Sequence, residues 1–319
     1  MDTKPRHFLI FGVVIITLIS LACQFISLPL LGAKEQPAGV PIKYGNNGEV
    51  ISEGDLTFFV SGWENITPDE YNKPKWGKKF IAVEYLILNT GSSPLPVSSY
   101  TDFYLMDAGG QKYESSVDAG VAANITGVSL GLNPGEKVHG KVGFQVPENA
   151  TSLQFVGESP FWNISRVFVN LNPEPGSVQP PETLPGEMEQ QASQVGETIQ
   201  TETLAITING ITSSAGNSIN TPRPGNKFAN VDMTIENKGS ANVTLYLQGS
   251  MYLKDASGWL YERDIDALLI TKGLDTEVKP GETIRWQAGF QVPENASGLV
   301  FIFDEDPFTS GGRATVVLP

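Results

Sequence analysis

From residue 33 onward the chain reads in twos. In Lys137-Val138-His139-Gly140-Lys141-Val142-Gly143-Phe144 the even positions are apolar or small and most odd positions are polar, the period of a strand with one wet face. A second stretch repeats the phase, with Ile284, Trp286, Ala288 and Phe290 inward and Thr283, Arg285 and Gln287 outward. Further strands are predicted at residues 56–60, 80–88, 103–106, 153–156 and 167–170, and again at 204–208, 228–236, 251–254, 299–303 and 315–318. Turn chemistry separates them. Asn133-Pro134-Gly135-Glu136 and Lys279-Pro280-Gly281-Glu282 suit a type II turn, in which Pro fixes the second residue and Gly takes positive φ at the third. Asp107-Ala108-Gly109-Gly110 and Asp255-Ala256-Ser257-Gly258 read as hairpin turns. Pro147 and Pro293 have no amide proton for a ladder, so each should end its strand. Seven or eight short antiparallel strands per unit predict an all-β fold of two tandem immunoglobulin-like β-sandwiches.

The two sets of strands are copies of one another. Gly-Phe-Gln-Val-Pro-Glu-Asn-Ala occurs at residues 143–150 and again at 289–296. Leu56, Gly62, Phe80, Asn89, Asp107 and Tyr113 each meet the same residue type 148 positions later, at Leu204, Gly210, Phe228, Asn237, Asp255 and Tyr261. The shift falls to 146 at Pro134 and Pro280, so a loop between Glu114 and Pro134 is two residues longer in the first copy. Insertions of that kind belong in surface loops. Each unit is about 125 residues, enough to bury a core. The boundaries predicted are an anchor at 1–32, a spacer at 33–48, domains at 49–171 and 195–319, and a linker at 172–194. Five prolines and four glutamates in that linker favour extended geometry, and at roughly 3.1 Å per residue it would hold the domains up to about 70 Å apart.

Residues 1–32 are a different material. Lys4, Arg6 and His7 precede a mostly apolar run over residues 8–31, long enough to cross a bilayer, and the basic flank keeps the N-terminus inside. The rest is then extracytoplasmic and held at the cell membrane. Ile19-Ser20-Leu21-Ala22-Cys23 resembles a bacterial lipobox, in which Cys23, the single cysteine of the chain, would carry lipid. Ser20 stands where Leu is usual, and apolar residues continue to Leu31, which fits an uncleaved signal anchor equally well. With one cysteine, neither domain can hold an internal disulfide.

Charge narrows the partners. Acidic residues outnumber basic ones by 14 to 8 over residues 44–170, by 4 to 0 over 171–194 and by 15 to 9 over 195–319. Nucleic acid needs a basic face and is not expected as a partner. A hydrolase triad or metal site needs convergent His, Cys or carboxylates. His7 flanks the apolar run, and His139, on the outward phase beside Lys137 and Lys141, reads as a solvated residue; its counterpart in the repeat is Arg285. No enzyme and no cofactor are expected. Asp304, Glu305 and Asp306 could offer oxygen ligands to calcium, against the plainer reading of a solvated turn. Six Asn-x-Ser/Thr triplets would matter only in a host with the glycosylating enzyme.

The copies differ most in the loop after the first long strand. It holds Trp63, Tyr71 and Trp76 in the first unit, whereas residues 211–227 of the second contain no aromatic. Rings of this kind suit a sugar or an extended peptide, and the competing expectation is that they cap the first sandwich.

The order of Gly77-Lys78-Lys79-Phe80-Ile81-Ala82-Val83-Glu84-Tyr85, Asn89-Thr90-Gly91, the Asp107 turn, Asn133-Pro134-Gly135-Glu136 and Phe144-Gln145-Val146-Pro147 resembles a bacterial extracellular immunoglobulin-like family of unknown function, the domain of unknown function 4352 type, in two tandem copies. The second copy, with Gly225 to Phe228, Asn237-Lys238-Gly239 and Pro280-Gly281-Glu282, carries the same signature. The resemblance implies a secreted or lipid-anchored sandwich and supplies no catalytic residues. The function expected is a noncatalytic, membrane-anchored protein whose two modules bind or position an envelope polysaccharide or protein. The alternatives are a structural surface spacer without a ligand and, further off, an enzyme accessory or calcium-binding domain.

Overall fold

The computed structural model describes residues 42–164, 166–245, 251–264, 266–267, 276–305 and 312–319. The predicted membrane segment, Cys23 and Asp306 lie outside these residues. Residues 36–319 form one compact unit.

Each repeat is a two-sheet β-sandwich. In the first, one sheet runs Ile42–Asn46, Arg166–Asn170, Gln154–Gly157, Phe103–Met106, Lys112–Glu114. The opposing sheet runs Gly176–Ser177, Leu56–Asn65, Lys78–Asn89, Lys137–Pro147, with Val50–Glu53 also paired to Leu56–Asn65. The second repeat runs Ser193–Gln194, Arg313–Val317, Val300–Asp304, Met251–Lys254, Leu260–Glu262 against Thr198–Gln200, Leu204–Ser214, Asn226–Asn237, Thr283–Pro293, the same order except that Thr198–Gln200 answers Val50–Glu53 and no described strand answers Gly176–Ser177. Short ribbons close each sandwich, Leu95–Ser98 with Ser129–Leu132 and Val243–Leu245 with Thr276–Val278. The strands predicted from alternation are present, and those containing Pro147 and Pro293 end at the prolines.

The period-two pattern buries what it should. Phe58, Tyr85, Phe103 and Phe155 pack at the centre of the first sandwich, with Phe58 and Phe155 stacked at 5.9 Å. The second core is more aliphatic, built on Ile206, Val231, Met233 and Phe290, and it takes in Trp286. Gly135 and Gly281 have φ of 73° and 76°, and both turns close with a 2.9 Å hydrogen bond from the Glu amide to the first carbonyl, as the Pro-Gly signature requires.

One residue pair shows how closely the scaffold was copied. Buried Asn89 donates at 2.8 Å to the carbonyls of Ser93 and Leu132 and accepts at 2.9 Å from the Gly91 amide. Asn237 does the same with Ala241, Val278 and Gly239 at the same three distances. An amide side chain that ties a strand end to its neighbouring loop this way cannot be replaced by an apolar residue without stranding backbone groups.

Three expectations are corrected. Residues 42–46 of the expected spacer form the strand Ile42–Asn46, parallel to Arg166–Asn170, so the first sandwich begins earlier than residue 49. The proline-rich segment is no extended strut: Gly176–Ser177 adds to the strand Leu56–Asn65, Leu184 is buried with Phe59, Leu86 and Leu88, and Ser193–Gln194 adds to Arg313–Val317. Proline density biases local geometry, but one apolar side chain that finds a sheet face outweighs it. Third, the helix Val117–Ala122, capped by the Ser116 hydroxyl, occupies the longer loop of the first copy, where no helix was predicted.

The repeats also touch. Tyr252, Leu260 and Ile302 of the second join the core of the first, and the Tyr252 hydroxyl donates to the Ser129 carbonyl at 3.0 Å. His139, expected in solvent, is 4% exposed because the second repeat covers it. Its ring stacks on Trp259 with centroids 3.8 Å apart, and its Nε2 lies 2.9 Å from Glu84.

Candidate functional site

The strongest charge cluster lies at this junction. Glu136 is 3% exposed, with Lys254 Nζ 2.5 Å from one carboxylate oxygen and Arg313 Nη1 2.7 Å from the other. Arg313 also holds Asp304, through Nε at 2.9 Å and Nη2 at 2.5 Å, and donates to the Gly131 carbonyl at 2.6 Å. Burial pushes the Glu136 carboxyl up, but Lys254 and Arg313 outweigh it and hold the group below the usual range. Burial alone would lower the Arg313 pKa, and Asp304 and Glu136 raise it instead. Two anions and two cations neutralise one another, and the cluster ties the two repeats together.

This accounts for part of the acidic run considered for calcium. Asp304 faces Arg313, and Glu305 accepts from the Thr203 hydroxyl and amide. Among the described residues no three His, Cys, Asp or Glu side chains converge as metal ligands.

The aromatic loop divides in two. Trp63 is 8% exposed, its indole N–H donating to the Asn172 carbonyl at 2.8 Å and its ring under the Lys79 ammonium at 5.5 Å. It packs in the first core and pins the start of the linker, so of the three rings it is the one held by the fold. Tyr71 and Trp76 are the reverse, at 87% and 101% exposed, so they do not cap the sandwich. The loop itself is built. Asp69 accepts from the amides of Tyr71 and Asn72 at 2.7 and 2.6 Å and from the Asn72 side chain at 2.8 Å. The side-chain bond from Asn72, followed by its backbone bond, outweighs slight desolvation and keeps the Asp69 carboxyl low. The Lys75 amide donates to Gln145 Oε1 at 2.6 Å, and the Arg223 amide donates to Gln291 in the second repeat. Both copies therefore latch the loop to the same glutamine, and one does so without rings.

Strand register places the loop. Asn65 precedes it, and Lys78, which follows it, pairs with Pro147, so it sits at the pole of the sandwich opposite the Leu56 and Asn89 pair. Ile42 pairs with Arg166 near Asp55, which bonds Asn163, and Asn89 donates to the Glu136 carbonyl. The strand beginning at Ile42 and the ion cluster thus both lie toward the other pole.

Besides an open cleft of about 540 Å3 between Asn133, Gln191, Ile199 and Arg313, two clefts lie near the loop and the junction. One of about 310 Å3 is walled by Trp63, Glu64, Glu84, Lys141 and Gly176. Another of about 460 Å3 lies where the repeats meet, between His139, Trp259, Tyr261, Arg223 and Gln291. Their polar groups are largely engaged: Lys141 pairs with Glu64 at 2.9 Å and Glu84 at 3.5 Å, Arg223 with Asp264 at 3.6 Å, and Tyr261 donates to Asp255 at 2.7 Å. Sequence reasoning overlooked Trp259 and Lys254, because neither is unusual until the other repeat is placed against it.

Two β-sandwiches copied down to their buried amides define a tandem-repeat β-sandwich protein. The model of the family described as Domain of unknown function (DUF4352) matches residues 45–166 and 193–314, and the chain belongs to that family. Among solved structures it is similar to the yjhA protein from Bacillus subtilis, at 16% identity over 40% of this chain and 99% of that one, with a TM-score of 0.30. An uncharacterized β-sandwich protein from Clostridium difficile 630 matches at 15% identity over 42% and 98%, TM-score 0.28. A conserved hypothetical protein from Bacillus anthracis matches at 19% identity over 35% and 88%, TM-score 0.28. No curated protein matches the chain.

Proposed function

We propose that the chain is a noncatalytic, membrane-anchored, extracytoplasmic protein with two immunoglobulin-like modules. The first carries a contact site for a component of the cell envelope, and the second holds it in place. The observation that supports this reading is the pair Tyr71 and Trp76, fully in water on a loop ordered by Asp69 and Gln145. Large rings held in solvent by a rigid loop cost free energy in isolation and are typical of contact residues. The apolar run at residues 8–31 supports the anchor, with Cys23 as the site of lipid attachment if the lipobox is used. A ligand-free spacer is the competing reading; it gives the two rings no role.

Every described strand pairing and core residue lies within residues 42–319, so a fragment starting at residue 36 keeps the whole scaffold. Such a fragment should be retained on isolated cell envelopes. The double variant Tyr71→Ala, Trp76→Ala should lose most of that retention while its circular dichroism is unchanged. Equal retention of variant and wild type removes the loop as a site and leaves the spacer.

A further inference from the structure

Four of the seven residues 73–79 are lysines, in a repeat whose residues 44–170 contain eight basic residues in all. Lys73, Lys75, Lys78 and Lys79 form no ion pair within the described residues, while Lys141, Lys112 and Lys137 of the same repeat do. They bracket Trp76. The corresponding stretch of the second repeat has Arg223 and Lys227, the first paired to Asp264 and the second donating to the Glu294 carbonyl at 2.9 Å. Lys79 lies over the Trp63 ring, but Lys73, Lys75 and Lys78 stand unpaired beside two exposed rings, and among the described residues the corresponding stretch of the second copy has neither feature.

Shape narrows the partner. Tyr71 and Trp76 line none of the clefts described above, and a ring exposed on all sides sits on a convex tip. An isolated tip of this kind offers no groove to hold a polymer chain along its length. A convex tip suits a flat, deformable surface that closes around it. The helix Val117–Ala122 stands beside the tip: Ala119 packs with Ile66 and Phe80 below the loop, and the exposed Val117 and Val121 line a small cleft with Tyr100 and Ile125. Indole and phenol rings settle at the headgroup level of a bilayer, and nearby lysines are attracted by anionic headgroups. With a net charge of −14, the rest of the molecule is repelled by such a surface, so the lysine cluster would also set the orientation of approach.

We propose that the loop of residues 66–79 is a docking tip for an anionic lipid surface, with Trp76 and Tyr71 seated among the headgroups and Lys73, Lys75, Lys78 and Lys79 paired to their phosphates. This rests on reading the loop as the contact site. It names the occupant as a lipid surface in place of a polysaccharide or protein.

The test is sedimentation of the fragment of residues 36–319 with vesicles of phosphatidylcholine alone or with 30% phosphatidylglycerol. Binding is expected to the anionic vesicles, with little to the neutral ones, and to fall as salt rises. Each Lys→Gln change among the four should weaken it roughly fivefold, and Trp76→Ala should weaken it without altering the salt slope. Charge-preserving Lys→Arg changes should leave it near wild type. Equal binding to neutral vesicles, or no binding to anionic ones, overturns the proposal. If lipid-stripped envelopes retain the fragment through Trp76 while vesicles do not, the lipid surface is wrong and the contact site stands. If Trp76 and Tyr71 matter to neither, both fall.

Discussion

The two repeats share their turns and buried amides, and although their cores are filled differently they diverge most where they face something else. Asn89 and Asn237 make the same three bonds, and Tyr113 and Tyr261 both donate to an aspartate, Asp107 or Asp255, at 2.7 Å. At the outward position of the long edge strand, Glu84 meets His139 in the first copy and Asp232 meets Arg285 in the second, an acid and a base in each. His139 is covered by Trp259, and Arg285 lies in water. The last residue of the Pro-Gly turn differs most: Glu136 is sealed between Lys254 and Arg313, and Glu282 is exposed. Duplication supplied one scaffold, and divergence at solvent-facing positions built the joint between the copies and set the exposed Tyr71 and Trp76 loop of the first apart from its counterpart.

The sharpest way to break this comparison is Glu136→Ala beside Glu282→Ala. Removing Glu136 leaves Lys254 and Arg313 buried with less countercharge and should cost about 3–5 kcal/mol in urea unfolding. Glu282→Ala should stay within about 0.5 kcal/mol. The same site predicts a response to acid. Because the folded Glu136 carboxyl is held below its ordinary value, its contribution is fully present above the unfolded carboxyl pKa of about 4.3 and is lost as pH falls through the folded value. Acidification below about pH 4 should therefore loosen the joint before the sandwiches melt, exposing the Trp259 face to fluorescence quenchers. Two equal effects from the two glutamates would show that the repeats do not dock through this cluster.

The shared scaffold makes the next prediction. Asn89→Ala and Asn237→Ala should each cost about 2–3 kcal/mol, since each strands one buried carbonyl, of Leu132 or Val278, and a partly buried carbonyl and amide. Near-equality is the content of the prediction. A large cost in one repeat and a small one in the other would mean that equal geometry does not carry equal energy.

Much of this was readable beforehand, for a local reason. Alternation fixes which face of Thr283–Pro293 is buried, so Trp286 could be placed inside from the sequence, and Pro-Gly fixes a turn whatever surrounds it. The outward face carries no such signal. His139 looks wet by period and is dry because Trp259, 120 positions away, lies on it, and Leu184 looks like a residue of a polar strut until Phe59 and Leu88 are beneath it. The aromatic loop failed at the same point. Trp63 and Trp76 stand thirteen residues apart in similar surroundings, and only the end of the strand Leu56–Asn65 decides that one is core and the other is not.

That division gives the smallest expected effect on stability and the clearest one on role. Trp76→Ala should change unfolding by less than about 0.5 kcal/mol, because a side chain fully in water has no packing to lose. Trp63→Ala should show a core-sized loss, since it vacates buried volume and strands the Asn172 carbonyl. Urea titration of the two variants side by side separates them. If Trp76→Ala destabilises as much as Trp63→Ala, the ring is folded against the protein in solution, the tip is not presented, and the two repeats would differ only at their joint. If it leaves stability untouched, the exposed ring has no structural role and its function must lie in what it meets.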